Sequence, residues 1–316
     1  MRVLLTGASG FVGSHVLARF LRAGEHRVAV VLRPGRSPRR IQHLLDQVEV
    51  GVEIIAGDVA QPRGLDEPVR RFAPDLVVHS AWAAPSTKNR NSLEHAEHVT
   101  HTIELVKLAH AAGARHFIGL GSQAEYGAAA NLAAEDQPAQ PTTLYGTAKL
   151  CAGLLAGKVC AELGIRFAWL RLFAAYGPSE DEGWLIPAMC HAFLAGRRPA
   201  TTPGAQVWDY LYVEDAAEAV HRVAVLPSAT GVFNLGSGRG HTVREVIERV
   251  RDLIAPQALI GFGDLAYAPD QVMHMQANID RLRQATGWQP EIDLATGLQR
   301  TVDWFRQPGQ VSVRER

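Results

Sequence analysis

Tyr145 and Lys149 are separated by Gly146, Thr147 and Ala148. On a helix, positions i and i+4 share a face, so this spacing predicts a phenol beside an ammonium. An adjacent ammonium favours the phenolate and is expected to lower the tyrosine pKa from about 10. Such a phenol exchanges a proton with a substrate oxygen near neutral pH. The pair alone is a frequent accident of helices, and its weight comes from what precedes it in the chain. Ser122 lies in Gly121-Ser122-Gln123-Ala124-Glu125-Tyr126-Gly127, at the end of an apolar run. A hydroxyl there projects into a crevice and can bond a carbonyl or alkoxide. Near the amino end, Thr6-Gly7-Ala8-Ser9-Gly10-Phe11-Val12-Gly13 follows another apolar run and opens a helical segment. Gly7 permits a tight turn, Gly10 lets the backbone approach a pyrophosphate, and Gly13 lets helix and strand pack closely. The free N–H groups of the helix start then face the phosphates.

These groups need a scaffold that delivers them to one edge. Apolar runs rich in Val, Ile and Leu occur at 3–5, 28–32, 52–56, 75–79, 117–120 and 167–172. They lack strict alternation, as strands buried on both faces do. Helical segments at 11–23, 64–72, 91–113 and 143–164 lie between them. The pattern predicts an α/β fold, a doubly wound parallel sheet with ligands along the carboxyl ends of its strands. After about residue 176, helices at 184–196 and 242–255 alternate with Pro- and Gly-rich loops. The expected division is a dinucleotide-binding domain of 1–175 plus 205–238, a smaller C-terminal α/β substrate lobe of 176–204 plus 239–306, and a flexible tail, 307–316.

The G-x-x-G-x-x-G spacing, taken with Ser122, Tyr145 and Lys149, resembles the extended short-chain dehydrogenase/reductase family. The resemblance runs from residue 1 to about 305. It includes Gly57-Asp58-Val59, His79-Ser80-Ala81-Trp82, Leu170-Arg171-Leu172-Phe173, Tyr176-Gly177-Pro178, the Asp209 to Asp215 block and the Phe233 to Gly238 block. It implies a Rossmann domain and a Ser122, Tyr145, Lys149 catalytic triad. It also implies cofactor contacts from Gly7, Ser9, Gly10, Phe11, Val12, Gly13, Asp58, Val59, Ser80, Ala81 and Trp82, with Tyr145 and Lys149. Substrate contacts are expected from Trp82, Ser122, Gln123, Tyr145, Ala174 and Trp208. Extended members act on nucleotide-linked sugars as 4-epimerases, 4,6-dehydratases or 4-ketoreductases. Four positions depart from the family pattern. Ala174 and His98 stand where asparagine is usual, and Trp208 and Ala268 where arginine often meets the diphosphate; Arg197, Arg198 or Arg239 could compensate.

The second strand ends at Arg33, followed by Arg36, Arg39 and Arg40, where NAD-preferring domains carry an acid for the ribose 2′-OH. Arginines there would pair with a 2′-phosphate, so Arg33 and Arg36 predict NADP(H) over NAD(H). The Asp-Glu that dehydratases carry after the hydroxyl residue is Gln123-Ala124 here, which argues against dehydration. A freely exchanging NADPH suits net reduction. The expected activity is therefore reduction of a keto group on a nucleotide-activated deoxysugar. A 4-epimerase with tightly bound cofactor is the alternative, and a non-catalytic NADP-sensing protein a second one.

Lys plus Arg (32) equals Asp plus Glu (32), which argues against nucleic-acid binding and against a polybasic membrane anchor. Three cysteines are too few for a disulfide framework or zinc cluster. The early glycines break the first apolar run short of a signal sequence's roughly 7–15 residues, and a cytoplasmic protein is expected. His95, His98 and His101 are expected to wind around a helix, and no metal site is expected. The helices at 91–113 and 143–164 resemble the family's dimer-forming pair, with Ala152, Gly153 and Ala156 permitting close approach, so a homodimer is expected.

Overall fold

A computed structural model describes residues 1–35, 37–47, 51–83, 89–128 and 132–307. Arg36, Ala84, Pro85 and the tail beyond Gln307 lie outside the described residues. The first apolar run forms β1 (Arg2–Thr6), and the glycine loop leads into α1 (Phe11–Ala23). The strand–helix alternation continues through β2 (Arg27–Leu32), α2 (Gln42–Leu45), β3 (Glu53–Ala56), α3 (Asp66–Phe72), β4 (Leu76–His79), α4 (Glu94–Ala111) and β5 (His116–Ser122). Then come β6 (Leu132–Ala133), α5 (Leu144–Glu162), β7 (Arg166–Leu172), β8 (Ala174–Tyr176), α6 (Leu185–Leu194), β9 (Ala200–Thr201), β10 (Val207–Tyr212) and α7 (Val213–Val225). The chain continues through β11 (Gly231–Leu235), β12 (Gly240–Thr242), α8 (Val243–Ile254), β13 (Gly261–Phe262), β14 (His274–Ala277), α9 (Asp280–Thr286) and α10 (Leu294–Phe305).

Seven strands form one all-parallel sheet in the order β11-β7-β5-β4-β1-β2-β3. This is the expected Rossmann sheet. Every residue of β4 and β5 is buried, which is why these strands read as continuous apolar runs rather than alternating ones. On one face Val16, Leu17 and Phe20 of α1 pack with Val220 and Val223 of α7. On the other, Leu105, Val106 and Ala109 of α4 pack with Ala156 and Cys160 of α5. Strand order reverses between β1 and β4, and the crevice beyond their carboxyl ends is where such sheets bind ligands.

A smaller sheet, β12-β10-β14-β6 with β8 paired to β10, is covered by α6, α8 and α10. The segment 205–236 is divided: β10 pairs within the smaller sheet, while β11 is an edge strand of the large one. The small residues of α5 also face inward. A side chain at Gly153 would strike the Trp169 indole, and Ala152 and Ala156 are fully buried, so they serve packing within the subunit. Among the described residues no helix is long and apolar enough to cross a membrane.

Candidate active site

The crevice is built first by glycines. Gly7 has φ of 78°, a left-handed conformation, and a Cβ there would come within 2.6 Å of the Ala81 amide and 2.7 Å of the Ser80 hydroxyl. A Cβ on Gly13 would overlap the Gly7 carbonyl. Ser80 donates to the Thr6 carbonyl at 2.8 Å, tying the end of β4 to the end of β1. Gly10 caps α1 without a side-chain hydrogen bond, and the first turn carries no acid. Its leading N–H groups, flanked by Phe11 and Val12, are therefore open to an anion, and the loop fits a pyrophosphate.

Tyr145 and Lys149 lie on the first two turns of α5, whose start is capped by Thr143 accepting from the Gly146 amide at 3.1 Å. Ser122 ends β5. Its Oγ accepts from the Ala124 amide at 3.1 Å, and Ser122 bears electrostatically on the Tyr145 phenol. The expected acidified phenol is not what the geometry gives. Burial pushes Tyr145 up to about 12, against a smaller lowering influence of Ser122. Lys149 faces elsewhere: Nζ donates to the Leu120 carbonyl at 2.6 Å and lies 3.9 Å from the centre of a Trp82 ring. Burial brings this lysine down to about 7. Shared helical spacing puts two residues on one face; it does not decide which partner a flexible lysine takes.

Trp82 is held in turn by α4. Its Nε1 donates to His95 Nδ1 at 3.3 Å, and His98 stacks on it with ring centres 4.8 Å apart. His95 is buried and meets the Tyr145 ring edge-on at 5.3 Å. His95, His98 and His101 of α4 thus run in file, with successive ring centres 6.4 and 5.7 Å apart, instead of winding away from one another.

Glu125 is the residue that sequence reasoning undervalued. It accepts from the Ser122 amide at 2.9 Å, from Trp169 Nε1 at 2.9 Å and from Arg171 Nε at 2.8 Å, all in the interior. With Ser122 it closes a capping box around the short 3-10 helix Gln123–Glu125. A signal was present: Arg171 interrupts the apolar run 167–172, and a buried arginine requires an acid. Gln123 places a buried Oε1 that has no hydrogen-bond partner among the described residues.

Other expected contacts lie further out. Asp58 accepts from the Ala60 amide at 3.0 Å and so caps its own turn, with Val59 packed beside it against the α3 and α4 side of the core. Ala174 opens β8, and Trp208, half-buried on β10, packs against Tyr126, Phe173 and Met275. Arg198 is paired with Asp264. Asp209 accepts from the amides of Ser237, Gly238 and Ala277, and Asp215 from those of Glu291 and Ile292, so the acids at both ends of the Asp209 to Asp215 block tether loops.

Residues 3–236 match the model of the NAD dependent epimerase/dehydratase family. The chain belongs to that family. A UDP-glucose 4-epimerase of Azospirillum brasilense is 29% identical across 96% of this chain and 92% of its own length. The crystal structure of a Thermus thermophilus UDP-glucose 4-epimerase in complex with NAD superimposes with a TM-score of 0.85 at 26% identity, covering 98% of this chain and 100% of the other. A dTDP-glucose 4,6-dehydratase from Bacillus anthracis, also in complex with NAD, shares the fold at a TM-score of 0.87, covering 98% of both chains at 21% identity.

These relatives overturn two expectations, NADP(H) as cofactor and keto-reduction as activity. The first rested on the arginines after β2, and the second on these together with a likeness of the segments Trp82 to Pro85 and Gly121 to Gly127 to 4-ketoreductases. Arg33 is exposed at the strand end, and Arg36 lies outside the described residues. Arg40 is already engaged, donating to the Ser179 carbonyl at 2.8 Å and to Asp181 at 2.6 Å. A cation in an exposed turn tolerates a phosphate but does not require one. The NADPH inference falls with the arginines, and the similar proteins named above are epimerases and a dehydratase rather than ketoreductases. What stands is membership of the NAD dependent epimerase/dehydratase family.

Proposed function

We propose that this enzyme is an NAD-dependent nucleotide-sugar 4-epimerase. The observation that carries this over dehydration is the fate of the residues after Ser122. Gln123 and Ala124 have no acid–base capacity, and Glu125 is committed to Ser122, Trp169 and Arg171 in the interior. No carboxyl group of that turn is free to move protons at a second sugar carbon. The glycine loop and the open start of α1 would hold the pyrophosphate of NAD, which when bound supplies hydride acceptance and return at C4. Tyr145 Oη takes the proton of the C4 hydroxyl and returns it to the same oxygen. Ser122 Oγ holds that oxygen in place. For the phenol to act as a base near neutrality, positive charge must approach it. Lys149, one turn along α5, supplies that charge when Nζ swings from the Leu120 carbonyl toward the phenol. Gln123 Oε1, without a partner among the described residues, would accept from a sugar hydroxyl.

The test is incubation of purified protein and NAD with UDP-glucose, UDP-galactose and their N-acetyl counterparts. The expected result is interconversion of a C4-epimer pair without net consumption of nicotinamide cofactor. Loss of water from the sugar with no epimer formed would overturn the reading. We also propose a cytosolic homodimer. Leu154 and Leu155 of α5 are 61% and 49% exposed, and a dimer face over α4 and α5 would cover them. Sedimentation velocity should give twice the chain mass, and a monomer at assay concentration contradicts it.

A further inference from the structure

Glu25 and His26 occupy the turn between α1 and β2, and His221 lies on α7, 195 residues further along the chain. The packing of α1 beside α7 brings the two imidazoles together at the amino ends of the strands, opposite the crevice. His26 Nε2 and His221 Nε2 are 3.2 Å apart, and Glu25 Oε1 is 3.5 Å from His26 Nε2. One ligand atom from each of the three residues falls within 4.8 Å of both others. Zinc bonds imidazole nitrogen at about 2.0–2.1 Å and carboxylate oxygen at about 2.0–2.2 Å. The edge of a tetrahedron is about 1.63 times the centre-to-corner distance, so such ligands sit roughly 3.3–3.5 Å apart. The two measured separations bracket that edge.

The surroundings suit a metal better than a charged histidine pair. The Phe20 ring meets His26 and His221 edge-on at 5.3 and 5.2 Å, making an apolar wall. His26 Nδ1 is buried without a partner among the described residues, so the polar interactions of this ring run through Nε2. Burial lowers both histidines, which keeps them neutral, the form that binds metals. Two positive groups, Arg19 and the chain's amino terminus, bear on the cluster. Glu218 counters the first, pairing with both Arg19 and Arg222.

We propose that Glu25, His26 and His221 form a tetrahedral divalent-cation site of the zinc type, with water as fourth ligand, that staples the α1–β2 turn to α7. The sequence could not disclose it, because the ligands come from two distant segments. The site is remote from Tyr145, so its failure and that of the epimerase reading are separate events.

The test uses the full chain, stripped with a chelator and titrated with zinc(II) by calorimetry and thermal unfolding. One zinc per chain and a rise in Tm are expected, with cobalt(II) giving the intense visible absorption of a tetrahedral site. Glu25→Gln, an exposed substitution that leaves the core intact, should weaken binding at least tenfold. His221→Gln should abolish it, with the circular dichroism spectrum unchanged, and His98→Gln should leave it intact. Absence of zinc binding to the wild-type chain, or binding undiminished in Glu25→Gln, overturns the proposal.

Discussion

The phenol of Tyr145 and the carboxylate of Glu125 make separable contributions. Tyr145→Phe removes only the oxygen that exchanges a proton. It should lower kcat by about 10²–10⁴ while leaving NAD affinity, read by fluorescence titration, within a factor of two. An unchanged kcat would dismiss the phenol from the chemistry. Glu125→Gln keeps the volume but leaves Arg171 charged and unpaired in the interior, at a cost of about 3–5 kcal/mol in urea unfolding. The remaining folded enzyme should lose kcat more than it gains KM, because Ser122 is no longer fixed. A fall in stability with kcat intact would reduce Glu125 to a packing role. Ser122, Tyr145 and Lys149 were legible as types at family spacing. Their electrostatics were not, because the direction of a lysine side chain depends on the Leu120 carbonyl and the Trp82 ring, which folding alone brings near.

Among the elements, the turn from β1 into α1 admits least change. A methyl group on Gly13 would overlap the Gly7 carbonyl, so helix and strand would have to separate at the loop proposed to hold the pyrophosphate. Gly13→Ala should weaken NAD binding at least tenfold, measured by calorimetry, with secondary structure retained. Wild-type affinity in that variant would remove the loop from the cofactor site. The large sheet could be read from the chain because its strands are buried on both faces and announce themselves as apolar runs. The smaller sheet was harder to read. Two of its strands, β6 and β8, are two and three residues long, too short for any periodicity. The placement of β10 follows from pairing with β8, β12 and β14 rather than from its own residues.

At the level of the whole molecule, buried histidines set the acid limit. Burial brings His79 and His116 down to about 3. His79 is fixed between Thr6 and Thr102, at 2.8 and 3.2 Å. In the unfolded chain both take up protons near pH 6.5, whereas the folded chain refuses them until about pH 3. The unfolded state therefore binds more protons across that window, and stability present above pH 6.5 is lost as the pH falls. Each contributes up to about 1.4 kcal/mol per pH unit. Urea midpoints should decline steadily between pH 6.5 and 4.5, and His116→Asn should flatten the decline; a flat wild-type profile would refute this. The chain also passes repeatedly between the two sheets. Asn234, on an edge strand of the large sheet, donates to the carbonyls of Ala133 and Asn278 and accepts from Tyr126. A calorimetric scan should accordingly show one transition, and two resolved peaks would contradict that coupling. Stitching of this kind denies evolution the option of exchanging the smaller sheet and its helices as a cassette. Any change in what the crevice accepts must be made in place, while the hydrogen bonds of Asn234 go on joining the two sheets.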